Sequence, residues 1–307
     1  MRISSPATDG HEPPSECILF FGGSFTFGQG LADHEALPYR VHEQSARRYR
    51  TYNFGVNGYG AHQMLSALQH GLVQDTVQCD REQVTHVFYQ AITDHLRRSA
   101  GRIWWEERGP RYVLGENGDI RFAGRFEDET NHDQDRSLIH IIGTQIIKSM
   151  IYQKVVHGTY VHKYSRAVID LYLEIIDEAR STALADYPAA IFHVLLWDED
   201  NADNRAIREG LRERGITVHL MSEILPNYRA DELNQQYRLH ERDMHPNAFA
   251  VELIAQYIVR EIVGEPRISL TSAPPPPLGR GFVPISLEPA LPANATGALR
   301  SALLFRP

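Results

Sequence analysis

A serine follows two glycines at the end of an apolar run, in the stretch GGSFTFGQG that contains Ser24. A serine hydroxyl attacks an acyl carbon only when a base lies within hydrogen-bond reach and an acid orients that base. Such a pair occurs late in the chain, where Asp243 and His245 stand in the stretch DMHPN. This spacing lets the carboxylate accept the Nδ1–H of the imidazole and leaves Nε2 to act as a base. Together the three side chains predict acyl transfer, although Asp243 and His245 on their own are equally typical of a helix cap and a surface residue.

The same glycine-rich stretch could also form a phosphate-binding loop. Such a loop needs the pattern GxxxxGK[ST], and no lysine follows these glycines. A dinucleotide-binding turn needs GxGxxG at the start of a helix, and that spacing is absent as well. No HExxH or paired CxxC motif occurs, and the histidines are scattered. We therefore expect no cofactor and no metal.

Short apolar runs alternate with helical patterns along the middle of the chain. Helical spacing of apolar residues is found at 61–73 and 165–185, and also at 137–156. The alternation predicts an α/β fold of the three-layer α/β/α type, with a central, mostly parallel five-stranded sheet. In such sheets the reactive groups collect at the carboxyl ends of the strands. The predicted strands are 17–21, 51–56, 84–92, 190–197 and 216–220.

The two ends of the chain differ in composition from the middle. Residues 1–16 are polar and are expected to form a flexible N-terminal segment, followed by one domain at 17–263. Residues 264–307 are rich in proline and are expected to be disordered. Within the domain, turn residues between two strand-like runs predict a hairpin insertion at about 101–126. The insertion, with Trp104 and Trp105 just before the hairpin, would pack onto the domain or form a lid or a carbohydrate-stacking wall.

Four blocks, in this order, resemble those of the SGNH (GDSL-type) serine hydrolase superfamily. GGSFTFGQG is similar to the family's GDSxTxG block, and NFGVNGYG at 53–60 is similar to its NxGxxG block. AITD at 91–94 takes the place of the GxND block, and DMH at 243–245 matches the D-x-H pair. The resemblance covers about residues 17–263. It implies the family's flavodoxin-like hydrolase fold, with Ser24, Asp243 and His245 as a catalytic triad.

The resemblance also implies an oxyanion hole, and two positions depart from the family pattern. The backbone N–H groups of Ser24 and Gly58 would bind the oxyanion. Thr93 stands where the family has an asparagine whose amide assists them, and we expect its hydroxyl to assist, with His95 as an alternative. Loss of one such donor costs about 2.7–4 kcal/mol of transition-state stabilisation. Gly23 replaces the aspartate before the nucleophile, which removes no member of the triad.

Composition limits the partners and the location. The net charge of −8 gives no general basic surface, so we expect no nucleic acid partner. The two cysteines are too few for a disulfide framework, and two free thiols are expected rather than one bridge. No apolar run reaches the length of a transmembrane segment, and no signal peptide is found. These features predict a cytoplasmic protein, or an exported one if the true N-terminus lies upstream.

The leading functional prediction is a serine esterase or deacylase that acts on a small or carbohydrate-linked oxygen ester through an acyl-enzyme intermediate. The first alternative is an O-acyltransferase, which would use the same triad to pass the acyl group to a sugar hydroxyl. The second is an SGNH-like binding module in which Gly23 and Thr93 mark a weakened catalytic site. Acyl length and oligomeric state are left open by the sequence.

Overall fold

A computed structural model describes residues 4, 14–115, 117–128, 164–228 and 235–264 of the chain. The helix expected at 137–156, most of the N-terminal segment and the proline-rich tail beyond residue 264 lie outside the described residues. Elements are numbered below along the described part.

The core of the fold is a five-stranded sheet in which all strands are parallel. The expectation of a central parallel five-stranded sheet is confirmed, and the observed strands differ from the predicted ones by at most two residues at an end. Their bounds are β1 (Glu16–Gly22), β2 (Tyr49–Gly55), β3 (Val84–Ile92), β6 (Ile191–Trp197) and β7 (Thr217–Leu220).

The strand order β2-β1-β3-β6-β7 places β1 between β2 and β3. The chain therefore leaves β1 on one side to form β2 and returns to the other side to form β3. Such a reversal opens a crevice at the carboxyl ends of the strands, where ligands bind in open α/β sheets. The residues that follow β1, β2 and β3 meet at this edge of the sheet.

Alternation along each strand explains why helices cover both faces. On β1, Leu19 and Phe21 face one core, while Ile18 and Phe20 face the other. The helices are α1 (Ser24–Phe27), α2 (Leu37–Gln44), α3 (Ala61–Gln69), α4 (His95–Ser99), α5 (Arg166–Asp186), α6 (Ala202–Glu213), α7 (Met221–Ile224) and α8 (Ala248–Tyr257). Helices α3, α5 and α6 pack on the first face and α2, α7 and α8 on the second.

Two antiparallel pairs lie outside the main sheet. The first, β4 (Pro110–Leu114) with β5 (Ile120–Arg125), occupies the place of the predicted hairpin. The Tyr112 hydroxyl of β4 is buried and donates to Gln69 Oε1 of α3 at 2.8 Å, which ties the hairpin to the domain. The second pair joins β8 (Arg238–His240) to β9 (Asp243–Pro246), and the sequence did not predict it.

Within the described residues, no helix is both long enough and apolar enough to cross a membrane.

The expectation of two free thiols is wrong for this structure, because Cys17 and Cys79 form a disulfide. Cys17 lies on β1 and is fully buried, and Cys79 lies in the segment before β3. Sequence spacing did not reveal the pair, because the two residues meet only when β1 and β3 align side by side.

Reduction of the Cys17–Cys79 disulfide is expected to lower the free energy of unfolding. The bond joins residues 62 apart in sequence, and closing a loop of this length removes about 4 kcal/mol of chain entropy from the unfolded state. Urea unfolding with and without dithiothreitol measures the difference, and a Cys79→Ala variant should show no response to the reductant. An identical midpoint for the oxidised and reduced protein would contradict a structural disulfide.

Three imidazoles form a hydrogen-bonded chain across the second face of the sheet. His86 Nδ1 lies 3.1 Å from His193 Nε2, and His193 Nδ1 lies 3.1 Å from His219 Nε2. His219 Nδ1 is 3.0 Å from the hydroxyl of Tyr257 on α8. Burial lowers the pKa of His86 to about 4 and that of His193 to about 3, and it also lowers the pKa of His219. The three imidazoles are therefore neutral at pH 7, and each ring can donate one hydrogen bond and accept one.

This histidine chain is expected to make the fold sensitive to acid. Below pH about 6.5 the histidines of the unfolded protein become protonated, whereas the buried imidazoles of the folded protein stay neutral. The free energy of unfolding therefore falls as the pH drops toward 4, by up to about 1.4 kcal/mol per pH unit for each histidine. Urea unfolding at a series of pH values between these limits measures the slope. His193→Gln should make it shallower, whereas the variant of the exposed His34, His34→Gln, should not. Equal slopes for His193→Gln and the wild type would refute the assignment.

Candidate active site

The serine predicted as nucleophile lies at a sharp turn between β1 and α1. Ser24 is the first residue of α1 and is 7% exposed to solvent. Gly23 precedes it with backbone angles φ −92° and ψ −145°. A Cβ at position 23 would lie 2.9 Å from both Arg98 Nη1 and the carbonyl oxygen of Tyr59. Only glycine fits this turn without displacing its neighbours.

The acid and the base lie on β9, which a small hairpin holds against the nucleophile turn. Asn247 stabilises the junction with α8, because its Oδ1 accepts the N–H of Ala250 at 2.9 Å and caps the helix. Its Nδ2 donates to the carbonyl oxygens of Gln236 and Arg238 at 2.9 and 3.1 Å. These bonds fix the strand that carries Asp243 and His245.

The structure brings Ser24, His245 and Asp243 into one hydrogen-bonded line. The Ser24 hydroxyl lies 2.8 Å from His245 Nε2, and His245 Nδ1 lies 2.6 Å from Asp243 Oδ1. With the proton on Nδ1 donated to the carboxylate, Nε2 is left to accept the hydroxyl proton. This is the arrangement in which a serine oxygen becomes a nucleophile and an imidazole its general base.

Asp243 is held in the charged form that this arrangement requires. Its Oδ1 also accepts the backbone N–H of His245 at 3.0 Å. The backbone bond has the largest effect and the bond from the imidazole the next largest, and together they hold the pKa of the Asp243 carboxyl below its usual range. Hydrogen bonds to an ionised carboxylate stabilise it, so Asp243 remains a carboxylate at neutral pH.

The imidazole is also held by an aromatic neighbour. The ring of Phe25, directly after the nucleophile, lies 5.2 Å from the ring of His245 and 5.2 Å from that of Trp197, which it meets edge-on. Trp197 ends β6, so the position of the imidazole is tied to the rigid sheet. Such packing keeps a catalytic side chain in one rotamer.

Gly58 lies in the loop after β2, at the same edge of the sheet as Ser24. Its φ is +86°, a left-handed conformation that side-chain-bearing residues rarely adopt. Among the described residues, none accepts a hydrogen bond from the backbone N–H of Ser24 or of Gly58. Both groups are therefore available to a ligand.

Thr93 follows β3, but its hydroxyl is already engaged in two hydrogen bonds. It donates to Glu199 Oε1 at 3.2 Å and accepts the side-chain N–H of Asn204 at 2.8 Å. To donate to an oxyanion, Thr93 would have to exchange its bond to Glu199.

His95, the alternative donor, lies behind the nucleophile turn. It is 1% exposed, its Nδ1 is 2.6 Å from the Tyr89 hydroxyl, and burial lowers its pKa well below the usual value. No described residue contacts its Nε2 by a hydrogen bond; this atom lies 3.1 Å from the position of a Cβ on Gly23. Asp94 orders the same segment, since it pairs with Arg97 and through Oδ2 with Arg98 Nε at 2.9 Å.

The sequence did not single out Glu106, whose bonds tie the segment before the hairpin to α3. Its side chain is buried, and its Oε2 accepts hydrogen bonds from Gln63 Nε2 at 2.7 Å and His62 Nε2 at 3.3 Å. Burial lowers the pKa of His62. The segment WWEERG at 104–109 is rich in charged residues, and this composition does not indicate that Glu106 is buried.

In the described part of the chain, no group of three or more histidine, cysteine or acidic residues is arranged to hold a metal ion.

Comparison with family models and with curated proteins found no match. Solved structures that match the chain include a protein from Desulfitobacterium hafniense DCB-2 classed with the G-D-S-L family of lipolytic proteins. It is 12% identical, with a TM-score of 0.40 over 78% of this chain and 96% of that one. An acetylxylan esterase from Geobacillus stearothermophilus is 12% identical, with a TM-score of 0.44 over 82% and 96% of the two chains. An acetyl xylan esterase from the rumen bacterium Butyrivibrio proteoclasticus is 11% identical, with a TM-score of 0.44 over 80% and 62%.

These three structures are at most 12% identical to this chain, and their TM-scores lie between 0.40 and 0.44. Their identity and TM-scores are too low to assign an activity to this chain. The function is therefore inferred from the chain's own side chains.

Proposed function

We propose that the protein is a serine esterase or deacylase that hydrolyses an oxygen ester through an acyl-enzyme intermediate. The observation that carries the proposal is the line of hydrogen bonds from the Ser24 hydroxyl to His245 Nε2 and from His245 Nδ1 to Asp243, at 2.8 and 2.6 Å. A surface histidine and a helix-capping aspartate need neither of these two hydrogen bonds, whereas a serine that acts as a nucleophile needs both.

In the proposed reaction, His245 takes the proton of Ser24 as Oγ forms a bond to the ester carbonyl carbon. The carbonyl π electrons move to the oxygen, which is stabilised by the backbone N–H groups of Ser24 and Gly58. The C–O bond to the leaving alcohol then breaks, and His245 gives that alcohol its proton. Water, deprotonated by His245, then attacks the acyl carbon. The bond from this carbon to Ser24 Oγ breaks, His245 returns the proton to Ser24, and the acyl group leaves as a carboxylic acid. Asp243 stabilises the imidazolium that forms at each step.

Thr93 is proposed as an additional oxyanion donor, as its place in the resemblance implies. Its present bonds to Glu199 and Asn204 mean that this role needs a rotation of its hydroxyl toward the substrate. We propose a small or carbohydrate-linked ester as substrate, with no cofactor and no nucleic acid partner.

Hydrolysis of nitrophenyl esters of increasing acyl length tests the proposal. We expect nitrophenol release from at least one ester, with saturation kinetics. Addition of a sugar acceptor separates hydrolysis from acyl transfer, since a transferase would form an acylated sugar in place of free acid. A folded protein that releases no nitrophenol from any ester and acylates no acceptor would contradict the proposal and favour a binding module.

The disulfide bears on the cellular location. Buried disulfides are typical of oxidising compartments, so Cys17–Cys79 favours export over the cytoplasmic location expected from composition. Thiol alkylation of the protein taken directly from its native source, followed by mass measurement, distinguishes the two. A blocked pair of cysteines indicates an oxidising compartment, and two alkylated thiols indicate the cytoplasm.

A further inference from the structure

The indole of Trp105 lies against the loop that carries Gly58. Its Nε1 is 3.2 Å, and its Cδ1 3.6 Å, from the point that a Cβ on Gly58 would occupy. Trp105 belongs to a short helical turn, Trp104–Glu106, which precedes the β4–β5 hairpin. An indole N–H therefore lies beside Gly58, the residue whose backbone N–H is proposed to bind the oxyanion.

Buried hydrogen bonds hold this turn to the Gly58 loop. Gln63 Oε1 accepts the backbone N–H of Gly60 at 2.7 Å, and Gln63 Nε2 donates to Glu106 Oε2 at 2.7 Å. Gln63 thus links the loop to the residue next to Trp105. Glu106 is 4% exposed, so its bonds are shielded from competing water. Gln63 therefore connects the residue after Trp105 with Gly60, two residues after Gly58.

The indole N–H is available to a ligand. No described residue accepts a hydrogen bond from it, and the Trp105 residue is 47% exposed. A tryptophan presents a polar N–H at the edge of a large apolar ring, which suits a site where an apolar acyl group meets a carbonyl oxygen. The third donor inferred from the family pattern, the Thr93 hydroxyl, donates to Glu199 instead.

We propose that Trp105 contacts the substrate directly. Its indole N–H donates a hydrogen bond to the carbonyl oxygen as that oxygen gains negative charge, and its ring forms the wall of the acyl pocket beside Gly58. This inference rests on the proposed acyl transfer at Ser24. It adds the Trp105 indole N–H, from the insertion, to the donors proposed for the oxyanion hole.

Trp105→Phe is the decisive variant, because it removes the N–H and keeps an aromatic wall. We expect kcat for nitrophenyl ester hydrolysis to fall about 10- to 100-fold, less than for a fully buried donor, with KM within about threefold. Trp105→Ala should show the same loss in kcat together with a higher KM for longer acyl chains. Trp104→Phe is the matched control, since Trp104 lies in the same turn and is exposed, and it should stay within about twofold of wild type in both constants.

Two results would overturn the inference. If Trp105→Phe keeps the wild-type kcat, the N–H does not act on the transition state. If it raises KM alone, Trp105 serves as a wall and not as a donor. Failure of the underlying proposal looks different: the wild type itself would then hydrolyse no ester, and Ser24→Ala would behave like the wild type.

Indole fluorescence gives a second readout that does not depend on turnover. A fluorophosphonate that reacts with Ser24 leaves a phosphoryl oxygen in the position of the oxyanion. Bonding to this oxygen should change the emission of the wild type and of Trp104→Phe, and the change should be absent or greatly reduced in Trp105→Phe. An equal change in Trp105→Phe would place the contact elsewhere and refute the inference.

Discussion

Replacing Ser24 with alanine is expected to lower kcat for ester hydrolysis by about 10⁴- to 10⁶-fold, because the oxygen proposed to form the acyl-enzyme is removed. Ser24 Oγ lies 2.8 Å from His245 Nε2, and the residue is 7% exposed at the edge of the sheet. The substitution deletes one oxygen atom at the turn between β1 and α1. It should therefore leave the urea unfolding midpoint close to that of the wild type.

Ser45→Ala is the matched control for this variant. Ser45 is partly buried at the end of α2, and its hydroxyl donates to the carbonyl oxygen of His42 at 2.9 Å. Loss of this bond should leave hydrolysis unchanged. If Ser24→Ala is folded and still hydrolyses esters at more than about one hundredth of the wild-type rate, another nucleophile performs the reaction.

The second large effect is expected at Asp243. An Asp243→Asn variant should reduce kcat by about 10³- to 10⁴-fold with a small change in KM. The amide can donate to Nδ1 and so favour the tautomer that carries its proton on Nε2. That nitrogen then faces the Ser24 hydroxyl as a donor and cannot accept its proton. The loss follows from the 2.6 Å contact between Asp243 Oδ1 and His245 Nδ1.

Glu241→Gln provides the comparison for Asp243→Asn, because it removes an exposed carboxylate only two residues away. It should keep wild-type kinetics, which separates the specific role of Asp243 from a general loss of negative charge. Asp243→Glu should recover part of the activity, since it restores an acceptor for Nδ1–H. Wild-type kcat in Asp243→Asn would show that the contact is structural and not catalytic.

Much of the fold could be predicted from the sequence, because burial on both faces leaves a strong apolar pattern. β3 was predicted with the bounds Val84–Ile92 that the structure shows, and its residues are nearly all buried. The hairpin β8–β9 was missed because its strands are short and no glycine marks the turn at Glu241 and Arg242. Short elements of this kind are stabilised by tertiary contacts such as the bonds of Asn247.

For the site, the sequence pointed to Ser24, Asp243 and His245, and the structure brings their side chains together. Their catalytic roles stay predictions. Local sequence could not explain Gly23, because the groups that exclude a side chain there, Arg98 and the Tyr59 carbonyl, come from distant segments.

The sequence also does not indicate which residues several other side chains contact. Thr93 bonds to Glu199, which follows β6, and the Cys17–Cys79 pair depends on the alignment of β1 with the segment before β3. The approach of Trp105 to Gly58 depends on Glu106 being buried, which a run of tryptophans and glutamates does not indicate. Each of these contacts spans residues far apart in the sequence, where periodicity carries no information.

The most direct test of an activated Ser24 is reaction with a fluorophosphonate, followed by intact mass measurement and peptide mapping. An ordinary serine is inert to this reagent, whereas a serine deprotonated by a neighbouring imidazole attacks phosphorus and expels fluoride. We predict one adduct per chain, located at Ser24, and no adduct in Ser24→Ala. A folded wild-type protein that remains unlabelled, or an adduct that persists in Ser24→Ala, would contradict Ser24 as the nucleophile.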